Sequence, residues 1–336
     1  MNDDKLLTVT VPCYNSQDYM EQCLRTLLSG GEDVEILIVD DGSTDDTAAI
    51  ADAWADEYQS IVRVIHQENK GHGGAVMTGI RNASGKYFKV VDSDDWVDEA
   101  AFAKVLYALR AIDVDILVTN YIYDKTELER KREIHYKRAF RENTVMTWDE
   151  VRSFRPWENL LMHALIYRTE VLRGCGLELP EHTFYVDNLY CSVPLATVKT
   201  LFYMDVGLYH YFIGRDGQSV QESTMIRRID QQIRVNKLMM EQLDLEHVPN
   251  ENQRETIFHY YDMITTVTSI MLILGGKPEH LAKKDALWEY IRTEHPWEYK
   301  KLRYSLFGIT MNLPGKAGRA VAVFCYRIAN RIFSFN

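Results

Sequence analysis

Two clusters of carboxylates stand near the ends of apolar, strand-like runs in this 336-residue chain. Asp40 and Asp41, with Gly42 and Ser43, follow the run Val34 to Val39, and Asp92-Ser93-Asp94-Asp95 follows Tyr87-Phe88-Lys89-Val90-Val91. In an open α/β sheet the carboxyl ends of the strands border the ligand crevice. Neighbouring carboxylates there repel one another unless a cation or a proton offsets their charge. The second cluster therefore reads as a divalent-metal site in which one or two carboxylates hold a hard ion and substrate phosphates complete its shell.

Two further strings could grip an anion or a nucleotide. Pro12, Tyr14 and Asn15 close the first strand-like run, and Asn69-Lys70-Gly71-His72-Gly73-Gly74 opens a helix, whose free N–H groups and dipole favour negative charge. Each string alone has a plainer reading. Asp41-Gly42-Ser43 suits a turn, Asp94 and Asp95 suit a helix start, and a glycine-rich helix start is a weak signal.

In order along the chain, Val9 to Asn15, Val39 to Thr47, Asn69 to Gly74 and Val91 to Asp95 together resemble the family-2 nucleotide-sugar glycosyltransferases, which have the GT-A fold. The resemblance thins after Trp96. It implies that Pro12, Tyr14, Asn15 and one of Asp40 or Asp41 contact the nucleotide base and ribose, with Lys70 and Gly71 close by. It also implies that Asp92-Ser93-Asp94 is the family's DxD motif, with Asp94 the chief metal ligand, Asp92 and Asp95 supporting it, and Asp92 against the ribose. Mg2+ or Mn2+ would suit such oxygen ligands. Arg81 matches an Arg that the family places near the nucleotide, and Arg215, in Arg215-Asp216-Gly217-Gln218-Ser219, matches a late loop over the diphosphate. Family members carry an acidic pair well after the metal motif. Here Asp187 matches its second acid, while Val186 departs from the first, so the resemblance leaves Asp187 as the lone base for the acceptor hydroxyl.

Composition sets bounds on these readings. The length allows about two domains of roughly 150 residues each, and 46% hydrophobic content can bury a substantial core. Cys13, Cys23, Cys175, Cys191 and Cys325 are scattered and form no CxxC pair, which suggests neither a disulfide framework nor a thiolate zinc site. A reducing cytoplasm fits, and Met1 to Lys5 lacks the layout of a secretory signal. The net charge of −11 argues against nucleic-acid binding. That charge is unevenly spread, because Lys300, Lys301, Arg303, Lys316, Arg319, Arg327 and Arg331 face one acid, Glu298, beyond Pro296.

Strand and helix signals alternate through the first hundred or so residues, as an α/β sheet requires. Helical spacing at Met20, Cys23, Leu24 and Leu27 stops at Gly30-Gly31, and Thr44 is expected to cap a second helix carrying Ala48, Ala51 and Trp54. The charged segment from Asp124 to Arg141 reads as a solvated hairpin. The expected fold class is a GT-A, Rossmann-like mixed sheet, largely parallel and flanked by helices, over residues 1–222. An all-α C-terminal region follows over residues 223–336. Met263 to Leu274 is apolar but short of the about 20 residues needed to span a bilayer.

The final helix, from Lys316 to about Phe335, sets Lys316, Arg319, Arg327, Asn330 and Arg331 beside Val321, Phe324, Cys325, Ile328, Ile332, Phe333 and Phe335. This is the pattern of a helix lying on an anionic membrane surface. The competing reading packs that helix on its own domain with the charges outward. The whole chain reads as an inverting glycosyltransferase that uses a nucleoside-diphosphate sugar, a UDP-sugar, and a glycan or lipid-linked acceptor, in the cytoplasm or on the inner face of the cell membrane. A sugar nucleotidyltransferase is the first rival, although the first β-α turn lacks the glycines it would favour. A nucleotide-sugar-binding protein without turnover is the second.

Overall fold

Strand β1, Leu7–Cys13, and strand β2, Val34–Asp40, are buried at every position. Strands covered on both faces are rich in apolar residues, and the polar Thr8, Thr10 and Glu35 within these two are buried as well. The computed structural model describes residues 5–125, 130–155, 158–213 and 221–333. Helix α1, Met20–Leu28, links β1 to β2 and buries Met20, Cys23, Leu24 and Leu27. Helix α2, Thr47–Glu57, leads to β3, Val62–His66, and helix α3, Gly71–Asn82, to β4, Tyr87–Val90. The two-residue strand β5, Trp96–Val97, precedes α4, Glu99–Ala111, whose first turn is capped by the Asp98 carboxylate accepting from Ala101 N–H. Next come β6, Ile116–Lys125; β7, Arg130–Ile134; β8, Val145–Met146; β9, Leu165–Arg168; α5, Thr169–Gly174; α6, Asp187–Ser192; and β10, Leu201–Ile213.

Hydrogen bonding orders the strands β3-β2-β1-β4-β9-β6-β10-β5, with β7 beside β6 and β8 beside β10. Strands β1, β2, β3, β4, β6 and β10 share one direction, and β5, β7, β8 and β9 run against it. The result is the largely parallel mixed sheet, flanked by helices, that the resemblance implied. Strand β1 pairs with β2 on one side and β4 on the other. The chain thus winds outward from β1 through β2 to β3, then crosses by α3 to the far side of β1. The gap beyond the carboxyl end of β1 is the topological switch point, where open α/β sheets bind ligands.

Local details depart from the sequence reading in two places. Thr44 does not cap α2; the residue before that helix is Asp46, and the Asp45 carboxylate accepts from Thr47 N–H at 3.0 Å. Thr44 instead gives its N–H to Asn15 Oδ1 at 2.9 Å, so the loop after β1 has claimed it. Within the charged segment, β7 does pair antiparallel with β6, but Tyr136, Ala139 and Phe140 are buried rather than solvated.

The chain divides into two compact units, residues 1–214 and 215–336. Helices α7, Glu222–Arg227; α8, Ile229–Glu241; α9, Glu251–Gly275; α10, Pro278–Glu294; α11, Pro296–Tyr304; α12, Leu306–Met311; and α13, Gly315–Phe333, build the second unit. Helix α9 is its axis and packs against α7, α8, α10, α11, α12 and α13. It runs 25 residues, well beyond the apolar stretch read from the sequence, and among the described residues it is the one helix long and apolar enough to cross a membrane. Most of it is buried by its neighbours, which accounts for that composition.

Candidate active site

The loops after β1, β2 and β4 are tied together at the switch point. Asn15 stands at φ +51°, its N–H donates to Ser43 Oγ at 3.0 Å, and the hydroxyls of Ser16 and Ser93 meet at 2.9 Å. Tyr14 is 51% exposed at this edge, an aromatic face left open where β1 ends. Asp40 accepts from Ser43 N–H at 3.1 Å and pairs with His66 Nδ1 at 2.9 Å, which raises the His66 pKa.

Asp41 is committed to holding a loop. Its Oδ1 accepts from Lys70 N–H at 2.8 Å and its Oδ2 from Gly71 N–H at 2.7 Å, so one buried carboxylate satisfies two orphan donors near the start of α3. Gly71 has φ +75°, and a Cβ there would meet the backbone of His182 at 3.0 Å. His182 N–H in turn donates to Lys70 O at 2.8 Å. The Lys70-Gly71 turn therefore clamps the segment that leads into Asp187.

At the first turn of α3, His72 Nε2 lies 2.9 Å from Asp92 Oδ1. Burial opposes charge on both partners. For His72 the fields of Asp92, Asp187 and Asp94 outweigh it and raise the pKa, and for Asp92 the imidazole does most to hold the carboxyl below its ordinary range. Asp187 opens α6 just after Tyr185, a bulky residue in the left-handed region at φ +68°. Backbone strain of this kind persists where surrounding structure over-determines it. Burial pushes the Asp187 carboxyl up, His72 opposes that, and Asp92 adds to it. Asp92 thus bonds the imidazole, and Asp187 and Asp94 lie within its electrostatic reach.

Beneath this group lies Lys89, fully buried on β4, with Nζ donating to His163 O at 2.7 Å. Burial lowers its pKa to about 7, against the pull of Asp92. The His163 ring stacks on Tyr209 at a centroid distance of 4.6 Å, and burial lowers its pKa to about 4.

The structure revises several expectations. Pro12 is buried within β1, so its side chain serves the strand rather than an open surface. Thr10 O accepts from Val91 N–H and Cys13 O from Asp41 N–H, so alternation turns the Pro12 nitrogen toward β4, past the last β1–β4 pair at Thr10 and Val90. That is a place where a missing donor costs nothing. Arg81 sits in the last turn of α3, roughly 15 Å along the axis from Gly71, and pairs with Glu178 at the end away from the crevice. Asp95 is withdrawn from the metal set, because Tyr209 Oη donates to its Oδ2 at 2.5 Å and Phe212 N–H to its Oδ1 at 2.8 Å. Burial, with Asp92 and Asp94, pushes that carboxyl well above the usual range. Arg215 lies outside the described residues. Val186 is buried against Gly73, which accounts for an apolar residue beside Asp187.

Among the described residues no three His, Cys, Asp or Glu side chains converge as a closed metal cage. The donors that remain, Asp92 and the partly buried Asp94, suit a hard cation that takes one or two carboxylates and completes its shell with phosphate oxygens. His72 and Lys89 are the residues that sequence reasoning missed. His72 stood inside the string Asn69 to Gly74, but its partner lies twenty positions away. The lone charge in the run Tyr87-Phe88-Lys89-Val90 was the available signal for Lys89.

A largely parallel sheet with carboxylates at its switch point is an α/β fold of the GT-A kind. The glycosyl transferase family 2 model matches residues 8–168. The chain is 30% identical over 220 residues to an uncharacterised glycosyltransferase, the MG025 homolog of Mycoplasma pneumoniae, covering 64% of this chain and 70% of that one. It is 39% identical over 126 residues to glycosyltransferase GlyG of Streptococcus pneumoniae, covering 37% of this chain and 42% of GlyG. The chain thus spans less than half the length of GlyG. The crystal structure of S. aureus TarS 1–349 in complex with UDP-GlcNAc superposes with a TM-score of 0.64 at 20% identity, covering 98% of this chain and 91% of that one, a likeness of fold. The chain belongs to glycosyltransferase family 2.

Proposed function

We propose that this protein is a metal-dependent, inverting glycosyltransferase. It moves a sugar from a nucleoside-diphosphate sugar, a UDP-sugar, to a hydroxyl of a glycan or glycolipid in surface polysaccharide synthesis, in the cytoplasm. The observation that carries this reading is the pairing of Asp92 with His72, within electrostatic reach of Asp187 and beside the loops that follow β1 and β2. The choice of uridine is supported by the UDP-GlcNAc complex of TarS, whose fold this chain shares.

In this reading Tyr14 offers its exposed face to the base, and Asn15 and Asp40 border the ribose. Asp92 and Asp94 would hold Mg2+ or Mn2+, which when bound supplies positive charge against the departing diphosphate. His72 keeps Asp92 ionised for that role. Asp187 takes the proton of the acceptor hydroxyl as its oxygen bonds to the anomeric carbon. The bond from that carbon to the diphosphate oxygen breaks, and its electron pair leaves with the nucleotide. A carboxyl raised by burial is a stronger base than an exposed one, which suits Asp187 to the task. One base and one displacement give inversion.

The test is UDP release and sugar transfer across a panel of UDP-sugars, with and without Mn2+, by the native chain, Asp187→Asn and Asp94→Ala. Metal-dependent transfer lost in both variants supports the reading. Transfer that survives Asp94→Ala overturns it. Pyrophosphate released from a nucleoside triphosphate and a sugar phosphate would identify a nucleotidyltransferase, and tight donor binding without turnover would identify a binding protein.

A further inference from the structure

Helix α13 is packed on its unit by one half of its surface only. Ala322 is fully buried in a cluster with Ile229, Ile270, Leu272 and Met311, with Val323 and Tyr326 against the same cluster. Gly318 is buried too, and a Cβ there would collide with Leu313. Small residues let this face approach closely. The opposite half is open, with Val321 47%, Phe324 65% and Ile328 44% exposed and Ala317 and Cys325 exposed beside them. At 100° per residue, Lys316, Arg327 and Arg331 fall within about 60° of one another along one border of that apolar arc, and all three are exposed.

The structure combines elements of both readings of this helix from sequence. The helix does pack on its own domain, yet what it turns outward is an apolar stripe with a basic margin, where an ordinary surface helix presents charge alone. The exposure is also concentrated. Among the described residues, six of the ten exposed large hydrophobics are Tyr304, Leu306, Ile309, Val321, Phe324 and Ile328. Helix α12, which carries two of them, packs against α13. From Pro296 onward the chain carries seven basic residues against Glu298, on a protein of net charge −11. Arg327 is held by Glu222, with Nη1 to Oε2 at 2.9 Å, and Lys301 by Glu255, which leaves Lys316, Arg319, Arg331, Lys300 and Arg303 to carry the positive field.

We propose that the exposed half of α13, with the α11–α12 corner, is a docking face for an anionic lipid bilayer. Phe324, Val321 and Ile328 enter the acyl boundary, and Lys316 and Arg331 meet lipid phosphates. Charge selects the occupant: the basic margin complements anionic headgroups, whereas in a two-fold contact between copies the same margin would face itself. Burying apolar area in the interface and neutralising headgroup charge are the two contributions such a helix makes. The inference deepens the proposed use of a lipid-linked acceptor, and it is read without any substrate.

The experiment is sedimentation of the full chain with phosphatidylcholine vesicles that contain or lack about 30% phosphatidylglycerol, a fraction chosen to give a surface potential like that of an anionic leaflet. Binding to the anionic vesicles, weakened by salt, is expected. It should fall roughly tenfold or more in Phe324→Ser/Ile328→Ser, which removes the buried apolar area, and in Lys316→Glu/Arg331→Glu. All four positions are exposed, so circular dichroism should match the native chain, and UDP release to a soluble acceptor, measured without vesicles, reports on the catalytic reading separately. Three results each overturn the proposal: no binding to anionic vesicles at low salt, equal binding to neutral ones, or a light-scattering dimer that Phe324→Ser dissolves.

Discussion

His72 Nε2 and Asp92 Oδ1 stand 2.9 Å apart, joining the start of a helix to the end of the strand that follows it. Asp187 and Asp94 also raise the pKa of that imidazole, so His72 links the Lys70-Gly71 turn, the carboxylate motif and the candidate base electrostatically. A protonated imidazole offsets the charge of the carboxylates around it. It also makes the charge state of one depend on the others.

Removing the imidazole should therefore weaken the proposed donor site without unfolding the chain. In His72→Ala, Asp92 loses a charged hydrogen bond of the order of 1.5–3 kcal/mol, and donor affinity measured by calorimetry should fall by about tenfold to a hundredfold. The imidazole holds the Asp92 pKa down, so without it Asp92 protonates at a higher pH. Donor affinity in the variant should then be lost earlier on acidification than in the native protein. An unchanged affinity and pH dependence would show that His72 only packs.

Asp187→Asn keeps shape and removes the base. A positioned general base contributes about 10²–10⁴-fold to rate, so transfer should drop by that order while donor binding persists. In the native protein the acid limb of the kcat profile should lie above the ordinary aspartate value, because burial raises this group. Activity falls as pH drops through that raised pKa, and the limb should vanish in the variant.

Gly71 tests the clamp between the two halves of the site. Gly71→Ala forces a β-carbon onto the His182 backbone at φ +75°, whereas Gly176→Ala, also at φ +75°, meets nothing within 4 Å. The second substitution carries backbone strain alone, of order 1–3 kcal/mol. The first adds a collision that can be relieved only by shifting the segment before Asp187. Thermal denaturation should show the larger loss for Gly71→Ala, and kcat should fall in that variant alone.

His163 should set part of the acid sensitivity of folding. Its pKa is about 4 in the folded chain against 6.5 unperturbed, so the unfolded state binds the extra proton between those values. The stability it contributes is complete above 6.5 and is lost as pH falls through 4. The loss is at most about 3 kcal/mol. His163→Phe retains an aromatic ring against Tyr209, and the drop in melting temperature between pH 6.5 and 4 should be smaller in the variant than in the native chain.

What the amino-acid sequence determined by itself was the set of segments whose signals are local. β1 and β2 declared themselves as short apolar-rich runs, α1 by the spacing of Cys23, Leu24 and Leu27, and the carboxylate clusters by standing at strand ends. Periodicity and strand-end position are properties of neighbouring residues, so they survive without a fold.

Which side chains meet was decided only in three dimensions, because strand order and helix direction set distances that the chain does not encode locally. Arg81 shares a helix with Gly71 yet lies at its far end, and Asp95 shares a motif with Asp94 yet is consumed by Tyr209 and Phe212 of β10. His72 found Asp92 because α3 crosses back over β1 to deliver β4 on its other side. The outward face of α13 was likewise open to two readings until Ala322 and Gly318 were seen to be the side that packs. Helical spacing describes an amphipathic surface, and only the neighbours that cover one part of it reveal what is left to face the outside.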